Sequence, residues 1–382
     1  MNKGGKSKTG KMKSISKRPP RCEPYIRGFK APSEKERIQA IGFDVKNIPP
    51  AYNHTDTDFF THLSQPTSVD DCLAQYKEDG QSFRGFLWQV PWLRSSMDTL
   101  MRTTSTRAGK TLTEKYPKGK IYIVPVGNFD EVSCIALEDL IDYAGRFLCV
   151  PVTTLPGLNL KVIEDKVVLE EHDGECELES RYSEESQHQQ LSISSVLPLL
   201  RDKVPEDALC VIGLTMYDLY GEDSDLFMSG LASASQKVAV FSIFRYDPRL
   251  TFSTEFWYDI KETEDVSDKD RKRLVLQRSC KLVVHEIGHL LRIDHCIYFD
   301  CCMNGSGHLA EDFRQPMHLC PVDLHKLQVL TGLDVTDRYE KLLEFCKKHG
   351  MECEAAWVEK RILFIQAEEQ KQGKKSALKK RD

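Results

Sequence analysis

Residues 282–296 read Leu282-Val283-Val284-His285-Glu286-Ile287-Gly288-His289-Leu290-Leu291-Arg292-Ile293-Asp294-His295-Cys296. The apolar run at its start belongs to a long helical pattern from about Asp268 to Leu291. Ser267 stands as the N-cap, and Asp268 and Asp270 fall in the first turn, where carboxylates meet the positive end of the helix dipole. At about 100° per residue, His285 and His289 share one face of that helix and can grip one Zn²⁺, with Glu286 beside them. His295 would point about 120° away from His289 on a continued helix, so it reaches the same metal only if the chain bends near Arg292. Three histidines and a water complete a catalytic zinc shell. In the chemistry this implies, zinc acidifies the water and Glu286, as general base, takes its proton during attack on a peptide carbonyl.

A second cluster follows at once: Cys296, Cys301, Cys302 and, later, Cys320. Closed zinc sites use four ligands rich in thiolate, so this segment reads as a separate structural zinc that staples an otherwise irregular stretch. Cys296, Cys301 and Cys320 are the chosen ligands. Asp323 is the leading fourth, because Cys320-Pro321-Val322-Asp323 puts an oxygen where a two-residue gap usually delivers a thiolate; Cys302, His318 and His325 are the alternatives. The cofactor expectation is therefore two Zn²⁺, one catalytic and one structural.

Composition sets the frame. A chain of 382 residues, 40% hydrophobic, can bury a sizeable core. The absence of any run near 18 apolar residues, and a basic, polar start from Met1 to Arg21, point to a soluble intracellular protein, cytoplasmic or nuclear, with no membrane partner. Thirteen cysteines, an odd number with no leader before them, read as reduced thiols and not as a disulfide framework. The net charge of -5, with no aromatics interleaved in the basic ends, argues against a nucleic-acid partner.

Five segments are expected: a basic tail over 1–21, a region of no assignable chemistry over 22–115, a catalytic domain over 116–333, helices over 334–369 and a basic tail over 370–382. Within the third, Ile121 to Val126 reads as a strand, Cys134 to Phe147 as an amphipathic helix and Leu148 to Thr153 as a second strand. Glu164 to Gln190, rich in acidic residues, reads as a surface excursion of variable conformation with a hairpin around Val167 to Leu169. A helix at Ser192 to Lys203 and strands at Ala208 to Met216 and Lys237 to Tyr246 complete the sheet. Residues 292–333, rich in Cys, His, Gly and Pro, read as irregular. Two helices, Asp337 to Lys348 and Glu354 to Gln366, close the pattern. The fold class is α+β.

From Val284 to Leu327 the chain resembles the archaemetzincins, on His285-Glu286, His289, His295-Cys296, Cys301, Met303 and Cys320. The resemblance implies a metzincin-like zinc metalloprotease: a twisted mixed sheet, an active-site helix beneath it, a Cys-rich zinc-stapled C-terminal subdomain, and Met303 in a turn under the metal. It further implies peptide or protein substrates received along a sheet edge, with Lys237 to Tyr246 and nearby loops shaping the groove. The family carries glycine at the position of Arg292 and cysteine at that of Asp323. Those departures favour the competing reading, a zinc-stabilised interaction protein that has lost turnover.

Overall fold

The computed structural model describes residues 28–54, 58–90, 111–129, 135–171, 174–252, 260–263 and 265–379. The basic tail over 1–21 and the start of the expected helix at Cys134 lie outside the described residues. The core is a five-stranded sheet of β1 (Lys120–Val126), β2 (Val152–Thr154), β3 (Ala208–Thr215), β4 (Gly230–Ser233) and β5 (Val238–Ser242), in spatial order β4-β5-β3-β1-β2. Four strands run parallel and β4 is antiparallel to β5, so the sheet is mixed.

Alternation along the strands explains the layers. Ile121, Ile123, Ile212, Leu214 and Phe241 face one core, which they share with the site helix Asp268–Leu290 and the helix Leu137–Leu148. Tyr122, Val124, Val126, Val211 and Val240 face a second core, closed by the helix Ile193–Asp202. A sheet covered on both faces needs strands apolar at nearly every position, which is what β1, β3 and β5 supply. The site helix begins as expected, with Ser267 Oγ accepting from the Asp270 backbone N–H at 3.2 Å.

Four expectations need correction. The acidic excursion is ordered: Leu160–Ile163, Lys166–Glu171 and Gly174–Leu178 form one three-stranded sheet, and Ser180–Ser183 and His188–Ser192 join Asp218–Tyr220 in another. Val167, Leu169, Leu178 and Leu191 are buried beneath it, a thin apolar face hidden among exposed Glu and Lys. Within the stretch expected to be irregular, Pro321–Thr331 is a helix, started by proline at its first position and stopped by Gly332 in the left-handed conformation at φ 76°. It is buried all round, so it shows no amphipathic stripe in the sequence. The groove strand is corrected too: β5, the strand part of Lys237 to Tyr246, is paired on both sides, and the edge beside it is β4. Finally, the last helix runs Glu352–Lys379, through most of the segment expected to be a tail.

The region of no assignable chemistry wraps the site from outside. Asp300 N donates to Thr61 O at 2.9 Å, and His325 Nδ1 bonds Ile41 O at 2.6 Å. The His325 ring is stacked on Phe43 and Phe83, with centroids 4.0 and 3.6 Å away. No helix among the described residues is long and apolar enough to cross a membrane.

Candidate metal centres

The site helix ends in a complete Schellman turn. Arg292 N donates to His289 O and Ile293 N to Gly288 O, both at 2.9 Å, with Arg292 at φ 72°. An arginine therefore holds the left-handed position for which the resemblance implies glycine. Its side chain is exposed. Gln81 clamps the exit: its side-chain amide donates to Arg292 O at 2.9 Å, and its oxygen accepts from Asp294 N at 3.2 Å.

This bend brings the three histidines together. The rings of His285, His289 and His295 lie with centroids 4.6 to 5.5 Å apart, and one ligand nitrogen from each falls within 4.8 Å of the others. Each Nδ1 has an oxygen partner: Cys302 O for His285 at 2.7 Å, Ile293 O for His289 at 2.8 Å, and a Glu78 carboxylate oxygen for His295 at 2.9 Å. That pattern places the proton on Nδ1 and leaves each Nε2 as a lone-pair donor. The Nε2 atoms of His285 and His289 are 3.0 Å apart. Burial, then the neighbouring imidazoles, hold His285 well below the usual histidine range and lower His289 to about 4, so both are neutral and able to ligate. A neutral three-imidazole set beside a cavity fits a catalytic zinc.

Glu286 lines a cavity of about 220 Å³ beside His285, together with Tyr246, Ser229 and Asp312. Burial, followed by the negative charge of Asp312, pushes its carboxyl up to about 8. Below the histidines, a Cβ on Gly288 would come within 2.8 Å of Met303 Sδ, so glycine here lets buried Met303 lie directly against the helix.

The second cluster is fully buried. Cys296 and Cys320 have Sγ atoms 3.5 Å apart, while Asp323 Oδ2 lies 3.2 Å from Cys301 Sγ and 3.3 Å from Cys320 Sγ. The other oxygen of Asp323 accepts from Lys326 Nζ at 2.7 Å, both side chains being 0% exposed. Three sulfurs and one carboxylate oxygen within 4.8 Å of one another fit a closed zinc site. The alternatives are engaged elsewhere: Cys302 Sγ points to Lys281 O, His318 stacks on Trp357 at 4.0 Å, and His325 is held as above.

Sequence reasoning missed the outer shell. Glu78 and Gln81 come from the 22–115 region, as does Asp71, which accepts from Arg314 at 2.9 Å and bonds His308 at 3.0 Å across the loop after Met303. None of these residues carries a local motif, and only their placement beside the histidines or this loop identifies them.

The chain is similar to known proteins over part of its length. The family model described as Peptidase family M54 matches residues 257–329. Human archaemetzincin-2 is 33% identical over 242 residues, covering 60% of this chain and 64% of the relative. Human archaemetzincin-1 is 33% identical over 175 residues, covering 43% of this chain and 35% of the relative. The crystal structure of archaemetzincin from Methanopyrus kandleri superposes with a TM-score of 0.37 at 23% identity, covering 55% of this chain and 93% of that one. The matches span less than two thirds of the length of these curated relatives. Over the site helix and the segment after it the chain matches the Peptidase family M54 model, and in sequence it is similar to the archaemetzincins.

Proposed function

We propose that this chain is a zinc-dependent peptidase whose catalytic metal is held by His285, His289 and His295, with Glu286 as general base. The observation that carries the reading is the three Nδ1 acceptors, which together turn three imidazole Nε2 atoms toward one point beside a cavity lined by Glu286. Zinc held there would supply Lewis acidity, the chemistry that makes water a nucleophile near neutral pH and stabilises a developing oxyanion.

The remaining roles fall to the chain itself. Glu286, with a carboxyl pushed up to about 8, is a stronger base than an exposed glutamate and can take the proton from water and return it to the leaving amine. A divalent cation between the histidines would draw that value back down toward neutrality. The edge strand β4 lies against the site helix, and its open side offers backbone groups for pairing with an extended peptide. The substrate class is thus a peptide or an extended protein segment. The Cys296, Cys301, Cys320 and Asp323 site would hold a structural zinc, tying the loop after His295 to the helix Pro321–Thr331.

The test is cleavage of a peptide library by the zinc-loaded full chain and its Glu286→Gln variant, read by mass spectrometry. Cleavage by the first and none by the second, at equal zinc content, supports the peptidase. Zinc retention with no Glu286-dependent cleavage supports the zinc-stabilised interaction protein.

A further inference from the structure

A second cavity, of about 210 Å³, opens between the helices Val335–Lys348 and Glu352–Lys379. It shares no lining residue with the cavity beside Glu286. Its walls are mainly apolar and aromatic: Tyr143, Met317, Leu342, and the stacked pair His318 and Trp357. It exceeds the ~150 Å³ of an apolar cavity that takes up benzene.

One wall carries an unusual charge. Arg338 is 1% exposed, with Nε donating to Phe147 O at 2.6 Å and the guanidinium lying 4.3 Å over the Phe147 ring. Its Nη2 is buried and makes no hydrogen bond, and among the described residues no carboxylate comes within ion-pair distance of the guanidinium. The fully buried guanidinium of Arg361 acts on the same His318 ring, so positive charge accumulates here. The acidic residue of the lining, Glu354, is engaged by Gln277 at 2.5 Å and sits beside exposed Cys353 at the rim. A cation out of water with one fork of its guanidinium unused is strongly unfavourable unless an anion joins it.

We propose that this cavity is a binding site for a small organic carboxylate, with the carboxylate at the Arg338 guanidinium and an apolar body of about one aromatic ring against Leu342 and Trp357. Neither the zinc centre nor the peptide groove is part of it. Guanidinium and carboxylate match in charge and in planar geometry, and the apolar walls favour a flat, water-poor body over a sugar or a phosphate ester.

The probe is 3-phenylpropionate, set against its neutral primary amide and titrated calorimetrically into the full-length, zinc-loaded chain. The acid is expected to bind saturably at one per chain, and the amide at least roughly tenfold more weakly, for want of the charge-assisted bond. Arg338→Gln is expected to bring the acid down to the amide's level. Should that variant fail to fold, Leu342→Trp, which fills the cavity, is expected to abolish binding of both. Equal binding of acid and amide, no saturable binding of the acid, or binding of the acid that survives either substitution would overturn the proposal.

Discussion

The Nδ1 of His295 lies 2.9 Å from a carboxylate oxygen of Glu78, 217 residues earlier in the chain. The other two histidines are oriented by backbone carbonyls close by on the site loop, so His295 alone depends on a side chain from a distant segment. A cysteine thiol, Cys72, and the histidine ring itself would meet any Cβ at Gly305, so the ring has little room to turn. Glu78→Gln keeps a hydrogen bond but removes the charge that raises imidazole basicity. It is expected to weaken zinc binding about 10-fold, and Glu78→Ala up to about 100-fold, measured by chelator competition. Unchanged affinity in both variants would remove Glu78 from the account.

Arg292 at φ 72° is the bend that allows His295 to return. A non-glycine residue in this conformation costs about 1–2 kcal/mol, partly offset because glycine loses more freedom on folding. Since the Arg292 side chain is exposed, Arg292→Gly is expected to stabilise the chain by about 0.5–1 kcal/mol with zinc binding unaltered. Denaturant unfolding of the zinc-loaded protein checks this, and a loss of stability would mean that the arginine makes a contribution beyond its backbone.

Asp323 and Lys326 are both completely buried, at 2.7 Å. Asp323→Ala removes the proposed ligand oxygen and strands a lysine charge, an arrangement expected to cost about 3–5 kcal/mol. If the stranded charge is the main cause, Asp323→Ala with Lys326→Met should recover much of that loss, a departure from additivity that a double-mutant cycle reads directly. Equal instability of the single and double variants would instead assign the loss to the missing metal ligand.

Local pattern explains what could be read without coordinates. His285, Glu286 and His289 are set by one helical turn, His295 by the short distance after it, and the main-sheet strands β1, β3 and β5 by short continuous apolar runs. Arg292 looked ill suited to its bend, yet the Schellman hydrogen bonds and the Gln81 clamp hold it there. Glu78, Gln81 and Asp71 could not be read, because nothing near them in sequence reveals that they fold against a loop more than two hundred residues on. The helix Pro321–Thr331 was hidden for the opposite reason: burial on every side erases the periodicity that marks a surface helix. The sheet edge is not legible in the sequence because β4, only four residues long, shows itself through its pairing with β5.

The most direct measurement is zinc stoichiometry by native mass spectrometry of the full chain, beside His285→Ala/His289→Ala and Cys301→Ser/Cys320→Ser. Two zinc ions in the parent and one in each double variant, with peptide cleavage lost in the histidine variant, is the expected result. A zinc count unchanged by removing both histidines would contradict the account, because the metal would then sit somewhere other than beside Glu286.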